Sequence, residues 1–167
     1  MKKLINDPNN VSQELFEGFL AAYGKNFNLE AVYTSIVYND RLYVVTNQGL
    51  FSKPLDALSD PSEIEFEMVK NSEGQVWHLA VHDDQLLCAH NYGAFRIEGM
   101  EAFRISSSDG VWNFFTMNGV DNRLFSGSYY GFVVYEKNIN GNWTQTGTID
   151  VGKSLRKIIC EQDNTIW

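Results

Sequence analysis

The sequence predicts a mainly β chain made of repeated four-stranded units, preceded by one amphipathic α-helix. Three observations carry that expectation. From Tyr33 onward apolar residues alternate in short runs parted by turn residues, which is the two-residue period of strands. A polar pair, one variable residue and then Leu or Ile recur four times: Asn39-Asp40 before Leu42, Asp83-Asp84 before Leu86, Asp121-Asn122 before Leu124, and Asp163-Asn164 before Ile166. The pairs follow one another after 44, 38 and 42 residues, a spacing that suits a four-stranded propeller blade of about 40–45 residues. The architecture implied is a partial β-propeller of about three blades plus the start of a fourth.

The elements follow in chain order. Residues 1–28 form a separate helical segment. Asp7-Pro8 marks a turn, Asn10 suits an N-cap, and Val11, Leu15, Phe19 and Tyr23 fall four apart, with Phe16 and Leu20 widening the stripe. Gly24 suits the left-handed end of that helix. Residues 29–167 form the repeat region. In each unit the polar pair makes a hairpin turn, because Asn and Asp tolerate left-handed backbone and hydrogen-bond their own main chain. A second strand then runs to Gly49, Gly93 or Gly131, and two further strands follow, as in "FRIEG" then "EAFRIS". The last residues, "CEQDNTIW", read as the first hairpin of a fourth blade, cut short after its second strand begins. Open strand edges of that kind are expected to self-associate or to pair with missing downstream blades.

Composition narrows the function classes. A hydrophobic share of 44% and a charged share of 20% describe a globular chain. The net charge of −8, with no basic run, makes nucleic acid a poor partner. No apolar run is long enough to cross a bilayer. The start, "MKKLINDPNN", lacks the apolar stretch of a signal peptide, so the literal reading is cytoplasmic. Cys88 and Cys160 do not make a disulfide framework and read as buried thiols.

Few motifs promise chemistry. "GTIDVGKS", residues 147–154, fits the spacing of a phosphate-binding P-loop around Lys153. That motif needs a helix after Ser154, and the repeat places a strand there, so a nucleotide binder is the minor alternative. His78, His82 and His90 lie near Cys88, yet residues four apart on a strand are about 13 Å distant, so no metal site is expected. Glu63, Glu65 and Glu67 read as a solvated strand edge. No acid–base pair or nucleophilic triad can be assigned, and neither catalysis nor a cofactor is expected. The binding candidates are Trp77 with His78 and Trp112 with Asn113, at equivalent places just after a turn, joined by Tyr92 and Tyr129 before turn glycines. Such indoles either stack on a small-molecule or glycan ligand or pack between blades.

Two resemblances bear on this. "NQGLF" at 47–51, "GAF" at 93–95, "GFVVY" at 131–135 and "EQDNTIW" at 161–167 resemble the two-component regulator propeller repeats of Bacteroidetes sensor regulators. The last lacks the glycine of that family's pattern. The resemblance implies a non-catalytic, extracytoplasmic ligand-binding domain of a signalling or transcriptional regulator, and so a periplasmic alternative to the cytoplasmic reading. Residues 1–25 instead resemble the N-terminus of the dihydroxyacetone kinase substrate-binding subunit. The glycine-rich loop and histidine of that family have no counterpart here, so this alternative implies an inactive subunit fragment.

Overall fold

The computed structural model describes residues 31–59, 66–120, 122–163 and 165–166. The expected N-terminal helix over 1–28 lies outside them, as do Glu63 and Glu65; Glu67 lies in a two-residue strand.

The described chain forms three four-stranded sheets, each an antiparallel meander in sequence order. The first holds β1 (Val32–Tyr38), β2 (Arg41–Thr46), β3 (Leu50–Pro54) and β4 (Glu67–Met68), with a short 3-10 helix Asp56–Ser59 before β4. The second holds β5 (Val76–His82), β6 (Gln85–His90), β7 (Gly93–Glu98) and β8 (Glu101–Arg104). The third holds β9 (Phe114–Phe115), β10 (Arg123–Gly127), β11 (Gly131–Lys137) and β12 (Trp143–Asp150).

The polar pairs turn the first two hairpins as the sequence suggests. Tyr38 pairs with Arg41 and His82 with Gln85, leaving two-residue loops. Their φ angles are +47° and +57° at Asn39-Asp40, and +48° and +57° at Asp83-Asp84, as a type I′ turn requires. The third hairpin departs from this pattern. Strand β9 stops at Phe115, and two successive turns follow, closed by bonds from Val120 N to Met117 O and from Arg123 N to Val120 O. Gly119, at φ +74°, lies in the first of them; the second falls at the place of the polar pair, so the hairpin is longer by one turn.

The sheets stack face to face. After their first residue, β2 and β6 are buried along their whole length, so the expected apolar–polar alternation is missing there. A strand covered on both faces has no polar side to show. Leu86 and Cys88 of β6 pack with Tyr43, Val45 and Leu50 of the first sheet. Leu87 and Ala89, pointing the other way, pack with Val111, Phe114, Leu124 and Tyr135 of the third. The outer strands are tied as well: Ala102 N donates to Lys70 O at 2.9 Å, and Gln145 N donates to Ile105 O at 3.0 Å. The Gln145 side-chain carbonyl also accepts from Ser106 Oγ at 2.8 Å and from Ser107 N at 3.0 Å. Inside the third sheet the buried Tyr135 hydroxyl meets Ser126 Oγ at 2.9 Å, and burial pushes its pKa up to about 12.

One end of the three sheets is built by a recurring turn between the second and third strands. Thr46, His90 and Ser128 stand three residues before Gly49, Gly93 and Gly131. Their side chains accept from Gln48 N at 3.0 Å, Tyr92 N at 2.9 Å and Tyr130 N at 3.3 Å. The chain entering the next unit bonds back onto the same turn, from Gly74 N to Gln48 O, Gly110 N to Asn91 O and Gly152 N to Tyr130 O. Each turn glycine lies under a carbonyl of the chain leaving its sheet. A Cβ would come to 3.0 Å from Ser72 O at Gly49, 2.4 Å from Ser106 O at Gly93 and 2.0 Å from Ile149 O at Gly131.

The P-loop spacing is overturned here. Gly147–Asp150 are strand, with Gly147 opposite Val134 and Asp150 opposite Gly131. No helix follows Ser154 among the described residues. The helix N-terminus that a phosphate needs is therefore absent from this place.

Candidate functional site

The glycine-turn end of the sheets gathers the aromatic residues, and strand irregularity aims them there. In β5 the register slips between Val76, opposite His90, and His78, opposite Ala89, which leaves Trp77 as the extra residue. The same slip in β1, between Val32 and Thr34, leaves Tyr33. A bulge of this kind redirects one side chain out of the regular alternation. Trp112 holds the corresponding place in the third unit, two residues before buried Phe114 as Trp77 is two before buried Leu79. Its backbone N donates to Gly127 O at 3.0 Å.

The two indoles stack, with ring centroids 4.0 Å apart and planes at 26°. Tyr129 stands edge-on to both, at 6.0 Å from Trp77 and 5.6 Å from Trp112. Its hydroxyl donates to Asn91 Oδ1 at 2.7 Å, and its ring closes over Gly110, where a Cβ would lie 2.3 Å away. The Arg156 guanidinium lies 4.8 Å from the Trp112 centroid. A stacked indole at 4.0 Å leaves no room for it on that face, so Trp112 is covered on both sides. The Trp112 indole N–H donates to Ser154 Oγ at 3.1 Å. Tyr130, 66% exposed, continues the cluster edge-on to Tyr129.

Of the six residues expected from sequence, Trp77, Trp112 and Tyr129 come together. Tyr92 is 55% exposed and lies over the His90 ring at 5.3 Å. His78 and Asn113 each follow a tryptophan, and both are half-buried. His78 Nδ1 and Asn113 Oδ1 are shielded and meet no protein hydrogen-bond partner among the described residues. The packing alternative for the indoles is realised between Trp77 and Trp112, while Trp77 keeps part of its surface open. Arg156, Ser154 and Asn91 were not anticipated. Arg156 was findable, since it precedes Ile158 by the two-residue step that separates each tryptophan from its buried neighbour.

The electrostatics suit binding more than proton transfer. Burial lowers the pKa of His78, and His82 beside it lowers it further. His82 is itself lowered by burial, with Asp83 opposing. His90 is lowered by burial against the opposing pull of the Ser72 and Glu73 carbonyls. Burial also raises the Cys88 thiol far above its usual range, which makes it inert. No group of three or more metal-ligating side chains occurs among the described residues.

His90 accepts the Tyr92 N–H through Nδ1, so the turn requires neutral imidazole. Unfolded histidine takes a proton near pH 6.5, before the folded residue does. The stability that His90 contributes is therefore complete above about pH 6.5 and is lost as pH falls toward its lower folded pKa. Urea midpoints are expected to fall between pH 7.5 and 5. Replacing His90 with Ser, the residue found at 128, is expected to flatten part of that slope. A midpoint that rises on acidification contradicts this account.

No family model matches the chain, and no curated protein matches it. Solved structures are similar in fold. The extracellular domain of BT4673 from B. thetaiotaomicron, described as a hybrid two-component system, superposes with a TM-score of 0.53 at 11% identity. The match covers 78% of this chain and 18% of that one. A second structure of that domain, described as a one-component system, gives 0.53 at 13% identity over the same shares. The N-terminal domain of Nup159 is similar at 19% identity and a TM-score of 0.46, over 72% of this chain and 31% of that one. None of the three is a dihydroxyacetone kinase. The chain thus spans less than a fifth of the length of the two bacterial domains that it resembles.

Proposed function

We propose that the chain is a non-catalytic ligand-recognition module. Residues 29–167 form consecutive β-propeller blades, three of them four-stranded, with the last residues as the first hairpin of the next, where Cys160 bridges Ile166. The observation that carries the reading is the Trp77–Trp112 stack, edged by Tyr129, built at corresponding positions of two successive sheets. A scaffold that spends a strand bulge on placing Trp77 against Trp112 at one end offers a flat apolar surface to a small molecule or glycan ring. Trp77 supplies the open indole surface, edged by Tyr129, with Tyr92, His78 and Asn113 as further candidates at the same end.

The likeness in fold to an extracellular sensor domain supports a place outside the cytoplasm, in a signalling or regulatory protein. Further blades or a second copy would cover the remaining strand edges. The test is a panel of neutral saccharides and metabolites, read by tryptophan emission and thermal shift on the whole chain. At least one compound is expected to change both. A panel that leaves both signals unmoved, on protein shown to be folded, removes the reading.

A further inference from the structure

We infer that a second cavity at the same end of the sheets takes a small organic ammonium ion. The inference rests on the reading of the chain as a recognition module and names a ligand class for it. The cavity has a volume of about 210 Å³ and lies where the turn before Gly131 meets the chain leaving β8 and the end of β12. Tyr130 gives it an aromatic wall, Asp109 and Asp150 give it two carboxylates, and none of its lining residues is basic; Phe132 borders it through its backbone, its ring lying on the opposite face of the sheet against Phe115.

The two serine hydroxyls that line it are committed to the fold. Ser128 Oγ donates to Gly131 O at 3.0 Å and accepts from Tyr130 N. Ser108 Oγ accepts from Gln145 Nε2 at 3.1 Å. The carboxylates are less occupied. Asp150 Oδ1 accepts only the backbone N–H of Gly152 at 2.7 Å, which leaves its charge unbalanced. Asp109 has a single loose ion pair, with Arg104 at 3.8 Å, and both side chains are well exposed.

An aromatic ring beside one carboxylate without an ion pair and a second that is only loosely paired attracts a cation and gives a neutral ring little extra. An anion meets two like charges and a chain of net charge −8. The volume falls below the roughly 300–1,000 Å³ of sites for drug-sized ligands, so it fits one cationic head group. The position of Tyr130 is fixed by the Ser128 turn and by its edge-on contact with Tyr129. The cavity thus adjoins the indole stack.

The test uses the whole chain and a charge-isostere pair, choline and 3,3-dimethylbutan-1-ol, at low salt by calorimetry. Choline is expected to bind about tenfold or more tighter than the alcohol. Tyr130→Ala and the double change Asp109→Asn with Asp150→Asn are each expected to cut that affinity about tenfold. Asn keeps the Oδ1 that caps Gly152, and Tyr130→Phe keeps the ring and should keep binding, so a folding defect is separable from a lost contact. No choline binding, equal binding of the alcohol, or indifference to both sets of changes overturns the inference. A neutral saccharide that shifts Trp77 emission in the same protein leaves the recognition reading standing when this one falls.

Discussion

Gly131→Ala is expected to destabilise the chain by about 3 kcal/mol, one of the largest effects of any single methyl group added here. Two costs combine. At φ +154° an alanine occupies backbone space that L residues avoid, worth about 1–2 kcal/mol. Its Cβ would also sit 2.0 Å from Ile149 O and 3.0 Å from Val151 N. Both are backbone atoms, of the strand that closes the third sheet and of the residue just after it, so no side-chain rotation relieves the contact, and overpacking of this kind costs about 1–3 kcal/mol. The urea midpoint should fall by about 1–2 M. Gly147→Ala is the control. A Cβ there meets nothing within 4 Å and the backbone is ordinary strand, so stability should stay within about 0.5 kcal/mol. The same control bears on the P-loop spacing, of which Gly147 is the first residue. Equal losses at the two glycines would mean that the carbonyl-under-glycine turn is not what holds the repeat.

Trp112→Ala should have the second large effect, on both stability and ligand affinity. The change removes the stacked face of Trp77, the cation–π partner of Arg156 and the donor to Ser154 Oγ together. A half-buried indole with these contacts is worth about 2–3 kcal/mol of folding stability. Trp77, losing its stacking partner, should become more solvent-exposed, with red-shifted emission. Affinity for any ligand found in the panel should drop at least about tenfold, because the platform loses its backing. Trp112→Phe should recover most of the stability and part of the affinity. Gly110→Ala offers an independent route to the same place, since its Cβ would drive into the Tyr129 ring. It should weaken the ligand while leaving both indoles in the chain.

Much of the architecture was legible because it is repetitive. The two-residue turns at Asn39-Asp40 and Asp83-Asp84, and the turn glycines 49, 93 and 131, are backbone constraints. Such constraints write themselves into residue type. The third hairpin is longer than the sequence suggests, because Gly119 adds a turn before the one closed from Arg123 N to Val120 O at the polar pair. Alternation was expected in β2 and β6 and is absent from Leu42–Val45 and Leu86–Ala89, because β6 is covered by a sheet on each face and β2 by the second sheet on one face and by Phe66, Leu55 and Leu58 on the other. The site was half legible. Trp77 and Trp112 announced themselves by equal placement after turns, but nothing local shows that a bulge at Trp77 brings the two indoles together. Arg156 and Ser154 reach the cluster from a segment whose sequence spells a different motif. The cavity beside Tyr130 joins residues from three segments, a meeting that only the stacked sheets create.

The most direct test of the recognition reading uses the indole N–H resonances of 15N-labelled protein during ligand titration. Trp143 is 2% exposed within the core between the second and third sheets and serves as an internal reference. Saturable shifts of Trp77 and Trp112 with Trp143 unmoved are the expected result. Shifts confined to Trp143, or none at any indole while binding is seen by calorimetry, would place recognition elsewhere and contradict the account.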